Sequence, residues 1–356
     1  MLGDLIYMNP ALDTIDRAIL TEVQAAFPVE HRPFAALGQK VGISEQETLE
    51  RMARLKRDKV IRQLSAIFDT RALGYQSMLA AMRVDPGRVY EAAEVINQHP
   101  GVSHNYKRNN TFNIWFTVAV PPADSLEQTV NILHTLARGE ETIMLPTLRL
   151  YKIGVKLDLT GKAPSMESEE EIYNEQRRFA AKPPLTPRDI ELIRITQEDL
   201  PALEMPFTVW AEQAEMTEEE LFGWARQMQQ LGYLRRFAAI LYHRNAGFLA
   251  NAMVVWQVSE HLVDVVGEQM AKFRQVSHCY RRPVYPTWPY ALYTMVHAPT
   301  HSACMEMVTR IEEKVGTLPH KNLFSTKEYK KTRVKYFTKE LDEWWNRVGK
   351  QMELVK

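Results

Sequence analysis

Two segments of the chain place a histidine, a tyrosine and an arginine at alternate positions. The first is VSHNYKR, residues 102–108, and the second is VSHCYRR, residues 276–282. Side chains alternate between the two faces of a β-strand, so we expect Val102, His104, Tyr106 and Arg108 to share one face. An imidazole transfers protons or ligates a metal, and a guanidinium binds carboxylates. The pattern predicts a polar pocket for an anion, and the alternative is a polar strand edge or domain contact around a satisfied histidine.

The second of these segments runs into a loop that is basic, aromatic and rich in proline. Residues 281–290 are RRPVYPTWPY, with two arginines, three prolines and three aromatic rings. Rings beside guanidinium groups suit a flat ligand that carries several negative charges. The alternative is a hairpin loop whose aromatic side chains pack on the neighbouring domain.

Other motifs with a known chemistry are absent from the sequence. There is no glycine-rich phosphate loop, no HExxH, no CxxC and no GxSxG. His297 and His301 are four residues apart, but Pro299 lies between them and breaks the helical geometry that a metal pair would need. We therefore predict no resident metal and no organic cofactor.

Composition and charge limit the class of protein. The chain has 356 residues, 44 Lys and Arg against 44 Asp and Glu, 45% hydrophobic residues and 25% charged residues. This is ordinary globular composition for two to four domains, without the basic excess typical of nucleic-acid-binding proteins. Two cysteines cannot form a disulfide framework, and the sequence has neither a 20-residue apolar run nor a secretory signal. We expect a soluble cytoplasmic protein that does not contact membranes.

The sequence contains two copies of one module, offset by 173–174 residues. IRQLSAI at 61–67 recurs as LRRFAAI at 234–240, Pro33-Phe34 recurs as Pro206-Phe207, and the histidine segments above follow the same offset. A polar segment that ends in Pro183-Pro184 separates the copies. The predicted domains are listed here with their boundaries: a helix-turn-helix unit at 1–68, a ferredoxin-like domain at 69–159, a linker at 160–184, a second helix-turn-helix unit at 185–240, a second ferredoxin-like domain at 241–338, and a C-terminal helical tail at 339–356.

Each module combines a helical part with an alternating part, so the fold class is α+β. Three short helices, the third opened by a capping pair (Ser44 with Glu47, Thr217 with Glu220), predict a winged-helix-like helix-turn-helix unit. The rest follows the order βαββαβ, with 143–153 as its last strand, which is the ferredoxin-like pattern. Helices cover one face of such a sheet, so we expect the two free faces to pair within the chain or with a second chain.

Charge on the third helices argues against DNA binding. Residues 44–60 carry five basic and four acidic side chains. Residues 217–233 carry one basic residue and three consecutive acids, Glu218 to Glu220. A recognition helix that opens with three carboxylates would repel phosphates. We therefore predict that nucleic acid is not a partner.

The architecture resembles that of the Lrp/AsnC transcription regulators, and the motifs resemble the sirohaem decarboxylases more closely. FPVEHRPFAALGQKVG, IRQLSAIFDTRALGY and GVSHNYKRNNTFNIWFT are similar to one subunit type of that family. LRRFAAILYHRNAGFLANAMVVWQV, VSHCYRRPVYPTWPYALYTMVHA and LFSTKEYKKTRVKYF are similar to the other. The resemblance covers about 12–158 and 186–338, and implies a fused two-subunit form, as in the pathway to the d1-type haem.

This resemblance implies a function and a set of site residues. The family removes the C12 and C18 acetate carboxyls of sirohaem, which gives 12,18-didecarboxysirohaem and two CO2; the iron enters with the substrate. His104 and His278 are implied as catalytic acids, and either is a candidate axial ligand to that iron. The implied substrate-binding residues are Tyr106, Arg108, Tyr280, Arg281, Arg282, Trp288, Arg235 and Arg236.

Two departures from the family pattern and two other functions stay open at this point. Asn110 stands where one subunit type often has a second histidine, and Ala291 stands where the other usually has asparagine, so one half alone could be active. The alternatives are a transcription regulator that senses a tetrapyrrole and a carrier that releases sirohaem unchanged. Pairing through the ferredoxin-like sheets also implies a homodimer.

Overall fold

The computed structural model describes residues 12–153, 182–242, 250–273, 275–298 and 300–354, which belong to two compact units. Residues 12–74 and 182–242 form the helical unit, and residues 75–153 and 250–354 form the sheet unit. Most of the predicted linker at 160–184 lies outside the described residues. The two helix-turn-helix segments thus share one unit, and the two ferredoxin-like segments share the other.

The helical unit contains two copies of three helices followed by one strand. The elements of the first copy are α1 (Thr14–Ala25), α2 (Pro33–Val41), α3 (Glu45–Arg57) and β1 (Ile61–Phe68). Those of the second are α6 (Pro187–Thr196), α7 (Pro206–Gln213), α8 (Glu218–Gln230) and β7 (Leu234–Leu241). The strands β1 and β7 pair antiparallel, with Ser65 opposite Ala238. Each copy thereby satisfies the backbone of the other copy's strand.

The predicted helix starts are confirmed by the caps. The Ser44 side chain accepts a hydrogen bond from the Glu47 backbone N–H, and Thr217 forms a reciprocal capping box with Glu220. These bonds satisfy backbone N–H groups that the first turn of a helix leaves without partners.

Basic side chains of α3 are occupied by carboxylates of the same unit. Arg51 and Arg54 both pair with the buried Asp16, and Lys56 pairs with Asp199. In the second copy, α8 buries Trp224. Side chains of both third helices therefore take part in packing and ion pairs within the unit.

The sheet unit contains two βαββαβ domains and a final helix. The first domain has β2 (Gln76–Arg83), α4 (Val89–Asn97), β3 (Val102–Arg108), β4 (Ile114–Val120), α5 (Leu126–Ala137), β5 (Glu141–Leu145) and β6 (Arg149–Ile153). The second has β8 (Ala250–Trp256), α9 (Val263–Ala271), β9 (Val276–Arg281), β10 (Leu292–Ala298), α10 (His301–Val315) and β11 (His320–Lys331), followed by α11 (Lys339–Leu354). The predicted α+β class with two ferredoxin-like domains is confirmed.

Strands of both domains join into one sheet of nine, in the order β5-β2-β4-β3-β11-β8-β10-β9-β6. The long strand β11 connects the domains, since its first part pairs with β8 and its second part with β3. On the other side, β6 leaves its own domain and pairs with β9. The pairing expected of two Lrp-like sheets therefore occurs within the chain.

The single strand predicted at 143–153 is wrong, because the structure has two strands there. β5 pairs with β2 of its own domain and β6 pairs with β9 of the other, with Pro146 between them. Proline has no N–H for the ladder, so the strand breaks at this point. Strands lie ~4.8 Å apart, so a flat sheet of nine would separate its ends by roughly 38 Å. Residues 146–148 cannot span that distance at about 3.5 Å per residue, so the sheet must curl until Leu145 and Arg149 lie within about 14 Å of each other.

Helices cover the outer face of the sheet, and the inner face carries a cluster shared by both domains. The buried members of this inner cluster are Ala81, Phe112, Trp115, Ile143, Leu145, Met253, Val255, Trp288, Tyr290, Tyr293 and Leu323. On the outer side, α11 packs Trp344 and Val348 into the core of the first domain. On the inner face, side chains of the two domains pack against each other.

Candidate functional site

The histidine, tyrosine and arginine of each segment lie on the inner face of the sheet. Tyr106 stands opposite Trp115 in the ladder, and Tyr280 stands opposite Tyr293; both opposing rings belong to the inner cluster. The residues between them face the helices. Asn105 donates to the Ala93 carbonyl of α4 at 3.2 Å. The alternation predicted for these residues is confirmed over most of each segment.

The valine that begins each segment was placed on the wrong face by simple alternation. Val102 and Val276 both lie in the outer cores beneath the helices. The ladder shifts by one residue between Val102 and His104, and the same shift occurs between Val276 and His278. Each shift is a β-bulge, in which an extra residue breaks the alternation and redirects the neighbouring side chains. That extra residue is a serine in both copies.

The bulged serines contact the histidines that follow them. Ser103 Oγ lies 2.9 Å from His104 Nδ1, and Ser277 Oγ lies 2.8 Å from His278 Nδ1. Adjacent residues of a regular strand point to opposite faces, so this contact depends on the bulge. The contact orients each ring. It also determines whether the other ring nitrogen, Nε2, carries a hydrogen, because the hydrogen bond at Nδ1 sets which nitrogen is protonated. Both histidines are half-buried.

The tyrosine and arginine complete two clusters of similar geometry. The His104 and Tyr106 ring centroids are 6.1 Å apart, and those of His278 and Tyr280 are 5.9 Å apart. The guanidinium carbon of Arg108 lies 5.7 Å from the Tyr106 ring centroid. That of Arg282 lies 4.8 Å from the Tyr280 ring centroid. We call these the first cluster (Ser103, His104, Tyr106, Arg108) and the second cluster (Ser277, His278, Tyr280, Arg282).

Each arginine is a buried cation that bonds to the other part of the curled sheet. Arg108 Nη1 donates to the Leu323 carbonyl at 2.6 Å, and Arg282 Nη1 donates to the Leu145 carbonyl. Burial lowers the pKa of Arg108 to about 10 and also lowers that of Arg282. In the described part of the chain no carboxylate offsets either charge, and the Nε of each lacks an acceptor. Two uncompensated buried cations favour an anion on the inner face.

Comparison with known proteins identifies the family. Two family profiles match: "AsnC-like ligand binding domain" at residues 72–152 and 245–330, and "Siroheme decarboxylase NirDL-like HTH domain" at 16–62 and 189–235. A "Siroheme decarboxylase" of Hydrogenobacter thermophilus (strain DSM 6534 / IAM 12695 / TK-6) is 39% identical over 92% of this chain and 96% of its own. The chain belongs to the sirohaem decarboxylase family.

Solved structures of the same family have the same fold. "Crystal structure of the siroheme decarboxylase NirDL" matches with a TM-score of 0.75 and 34% identity, over 96% of this chain and 100% of that one. "Crystal structure of the siroheme decarboxylase NirDL in co-complex with iron-uroporphyrin III analogue" matches with a TM-score of 0.75 and 33% identity, over 95% of this chain and 100% of that chain. The tetrapyrrole analogue belongs to that complex.

Other residues implied by the sirohaem decarboxylase resemblance lie in different surroundings. Arg281 pairs with Glu260 and, at 3.5 Å, with Asp264. Trp288 is 1% exposed, within the inner cluster, and donates from Nε1 to the Tyr293 hydroxyl at 2.8 Å. Arg281 therefore adds no further cation to the second cluster, and Trp288 does not line it as an accessible ring.

The remaining sequence-derived candidates are also placed by the structure. Arg235 and Arg236 are exposed on β7, in the helical unit rather than the sheet unit. Asn110 follows β3 and its side-chain oxygen is buried without a partner among the described residues. Ala291 is 5% exposed and its carbonyl accepts from the Arg282 backbone N–H at 2.9 Å.

Ser103, Ser277 and His297 were not identified from the sequence as residues of the site. His297 Nε2 lies 2.7 Å from Ser277 Oγ, so it belongs beside the second cluster. The retained Ser-His pair in both copies was a usable signal, because identical neighbours persist inside diverged halves. The sequence alone relates His297 only to His301, as a metal pair that Pro299 makes unfavourable.

Two further structural findings concern metal and membrane. Within the described ranges, no group of three or more His, Cys, Asp and Glu side chains has the geometry to hold a metal ion. No helix of those ranges is long and apolar enough to cross a bilayer.

Proposed function

We propose that this chain removes the C12 and C18 acetate carboxyls of sirohaem, giving 12,18-didecarboxysirohaem and two CO2. The observation that carries the proposal is the pair of Ser-His-x-Tyr-x-Arg clusters on the inner face of one curled sheet. A flat iron tetrapyrrole with eight carboxylates calls for rings, buried cations and a proton donor, and both clusters supply them. The relatives named above are called sirohaem decarboxylases.

The chemistry requires a proton for each carboxyl that leaves. Loss of CO2 from an acetate on a pyrrole ring leaves an electron pair, and protonation of a ring carbon offers a sink for it. A second proton completes the methyl group while the ring carbon returns its own, so each event consumes one proton. Positioning of the substrate and a placed acid each contribute orders of magnitude in rate. No organic cofactor and no net electron transfer are needed.

We assign different roles to the two histidines. His278 is the proton donor, because the second cluster has the additional contact between Ser277 and His297. His104 is the axial ligand to the substrate iron. Arg108 and Arg282 hold substrate carboxylates, and Tyr106 and Tyr280 line the walls. These roles are extended from the resemblance and supported by the cluster geometry.

The wider setting follows the same proposal. The chain acts in the cytoplasm, in a pathway to haem d1 or an alternative haem, and forms a homodimer. Inner-face pairing is satisfied within the chain, so the homodimer uses another surface.

The deciding experiment is an anaerobic incubation of the pure protein with sirohaem, followed by mass analysis of the tetrapyrrole. Loss of two CO2 units supports the decarboxylase. An unchanged tetrapyrrole would contradict it and leave the carrier function, or the regulator if the protein also binds duplex DNA tightly.

The two histidine roles are separated by spectroscopy. His104→Ala should shift the absorption spectrum of bound sirohaem, whereas His278→Ala should leave the spectrum alone and slow carboxyl loss. If His278→Ala keeps full turnover for both carboxyls, its assigned role is wrong. If neither variant shifts the spectrum, no histidine of these strands ligates the iron.

A further inference from the structure

The second cluster contains a chain of three polar side chains. Ser277 Oγ lies between His278 Nδ1 at 2.8 Å and His297 Nε2 at 2.7 Å. The Met295 carbonyl oxygen is a weaker third neighbour of the same hydroxyl, at 3.4 Å. His297 and Met295 alternate along β10 with residues of the outer core, so His297 shares the inner face with His278.

Counting hydrogens shows that the three groups form one hydrogen-bonded chain. The Ser277 hydroxyl has one hydrogen and can donate to only one of its three neighbours. If it donates to one imidazole, the other imidazole must donate to it. If it donates to the carbonyl, both imidazoles must donate. In every arrangement at least one histidine N–H points at the serine oxygen, and the two rings are joined through it.

The first domain provides an internal comparison. In the ladders, His104 stands opposite Thr117 and His278 stands opposite Met295, so the position of His297 corresponds to Ala119. Ser103 contacts His104 as Ser277 contacts His278, but no imidazole stands behind it at Ala119. The two clusters are alike in the serine and differ in the second histidine.

We propose that His297 is a positioning residue that supplies protons to His278 through Ser277. The inference rests on the proposed function and specifies which half of the chain protonates the substrate. His297 is half-buried, so it can exchange protons with water.

One proton passes along this chain to the substrate. His297 begins protonated on both ring nitrogens, and His278 begins neutral with its hydrogen on Nε2. His278 Nε2–H gives its proton to the tetrapyrrole carbon. Ser277 gives its hydrogen to His278 Nδ1 and takes the Nε2 hydrogen of His297. Both histidines end neutral with hydrogen on Nδ1, and one proton has reached the substrate for the CO2 that leaves.

The test compares His297→Gln and His297→Ala with the parent protein under single-turnover, anaerobic conditions. Glutamine keeps a donor for Ser277 but cannot carry a proton through the chain, so both variants should lose carboxyls tenfold or more slowly. Sirohaem affinity and the bound spectrum should not change. His134→Ala is the matched control, since His134 lies on α5, contacts Thr142 at 2.9 Å and is outside both clusters.

Three outcomes overturn the inference. Full activity in His297→Gln would show that His297 only orients the serine. Full activity in both variants would show that it has no part. A loss of affinity equal to the loss of rate would show a structural role. If the parent protein fails to decarboxylate sirohaem, the proposed function fails instead.

A measurement without substrate tests the hydrogen-bonded chain from His297 through Ser277 to His278. With 15N-labelled histidine in the substrate-free protein, His297→Ala and Ser277→Ala should each shift the His278 Nδ1 resonance. His134→Ala should not. An unchanged His278 resonance in His297→Ala would overturn the inference whether or not the chain is active.

Discussion

His99 controls the entry to β3 and should make the fold sensitive to acid. Its Nδ1 accepts the Gly101 N–H at 3.0 Å, and its ring packs edge-on against Trp344 with centroids 4.4 Å apart. The side chain has no exposed surface, and burial, together with the nearby Lys330 cation, lowers its pKa from 6.5 to about 3. Protonation would turn the accepting nitrogen into a donor and break the bond to Gly101.

The magnitude follows from linkage. As the pH falls below 6.5, the unfolded chain binds a proton at His99 and the folded chain does not, so stability is lost until the pH reaches about 3. At pH 5 the loss is about 2 kcal/mol, and at pH 7.5 it is close to zero. The same bond sets the start of the strand that carries Ser103 and His104, so this loss also endangers the first cluster.

The experiment is urea unfolding of the parent protein and two variants at pH 7.5 and pH 5. His99→Asn keeps an acceptor for Gly101 without a titrating group, and His99→Phe copies Phe273, which stands at the corresponding position of the second copy. Whatever each variant costs at pH 7.5, its stability should fall by about 2 kcal/mol less than the parent's between the two pH values. Equal falls in parent and variants would refute the assignment of a buried, neutral His99.

Three shorter predictions concern the sheet unit. Burial lowers the pKa of Lys330 to about 8, so between that pH and about 10.5 the unfolded chain binds more protons than the folded chain, and the free energy of unfolding should rise with pH. In urea unfolding at pH 7.5 and pH 9.5, Lys330→Met should lack part of this rise. An unchanged rise would contradict the burial of Lys330. Trp288→Ala should lower the free energy of unfolding by about 3–5 kcal/mol. Val284 is exposed in the same loop, so Val284→Ala should change it little. Equally small effects of both substitutions would show that Trp288 does not belong to the core. Arg282→Met should weaken sirohaem binding about tenfold or more and slow decarboxylation of the bound substrate less, because charge-assisted bonds away from the reacting carbon stabilise substrate and transition state equally. Sirohaem titration of Arg281→Met, whose parent side chain is ion-paired, is the comparison. Unchanged affinity for Arg282→Met would count against a carboxylate contact.

Much of the fold followed from local patterns in the sequence. The duplicated register, the capping pairs at Ser44 and Thr217, and the βαββαβ order each depend on neighbours within a few residues or on a visible repeat. The shared face of His104, Tyr106 and Arg108 also follows from the period of a strand. Such features survive in any compact arrangement of the chain, because short-range sterics and hydrogen bonding fix them.

Long-range pairing decided the rest. Alternation alone put Val102 on the face of His104, and only the bulge at Ser103, imposed by the neighbouring strand, moved the valine to the outer core. Pro146 was visible in the sequence, yet nothing local indicated that β6 would pair with β9.

The sequence by itself determined which side chains each copy contributes, while the tertiary structure decided which of them meet. Arg281 and Arg282 are adjacent in sequence, but one pairs with surface carboxylates and the other is a buried cation on the inner face. His297 lies 19 residues from His278 and joins it only because β9 and β10 pair side by side. Contacts of this kind depend on strand register and burial, which are properties of the whole sheet and are not carried by any short segment.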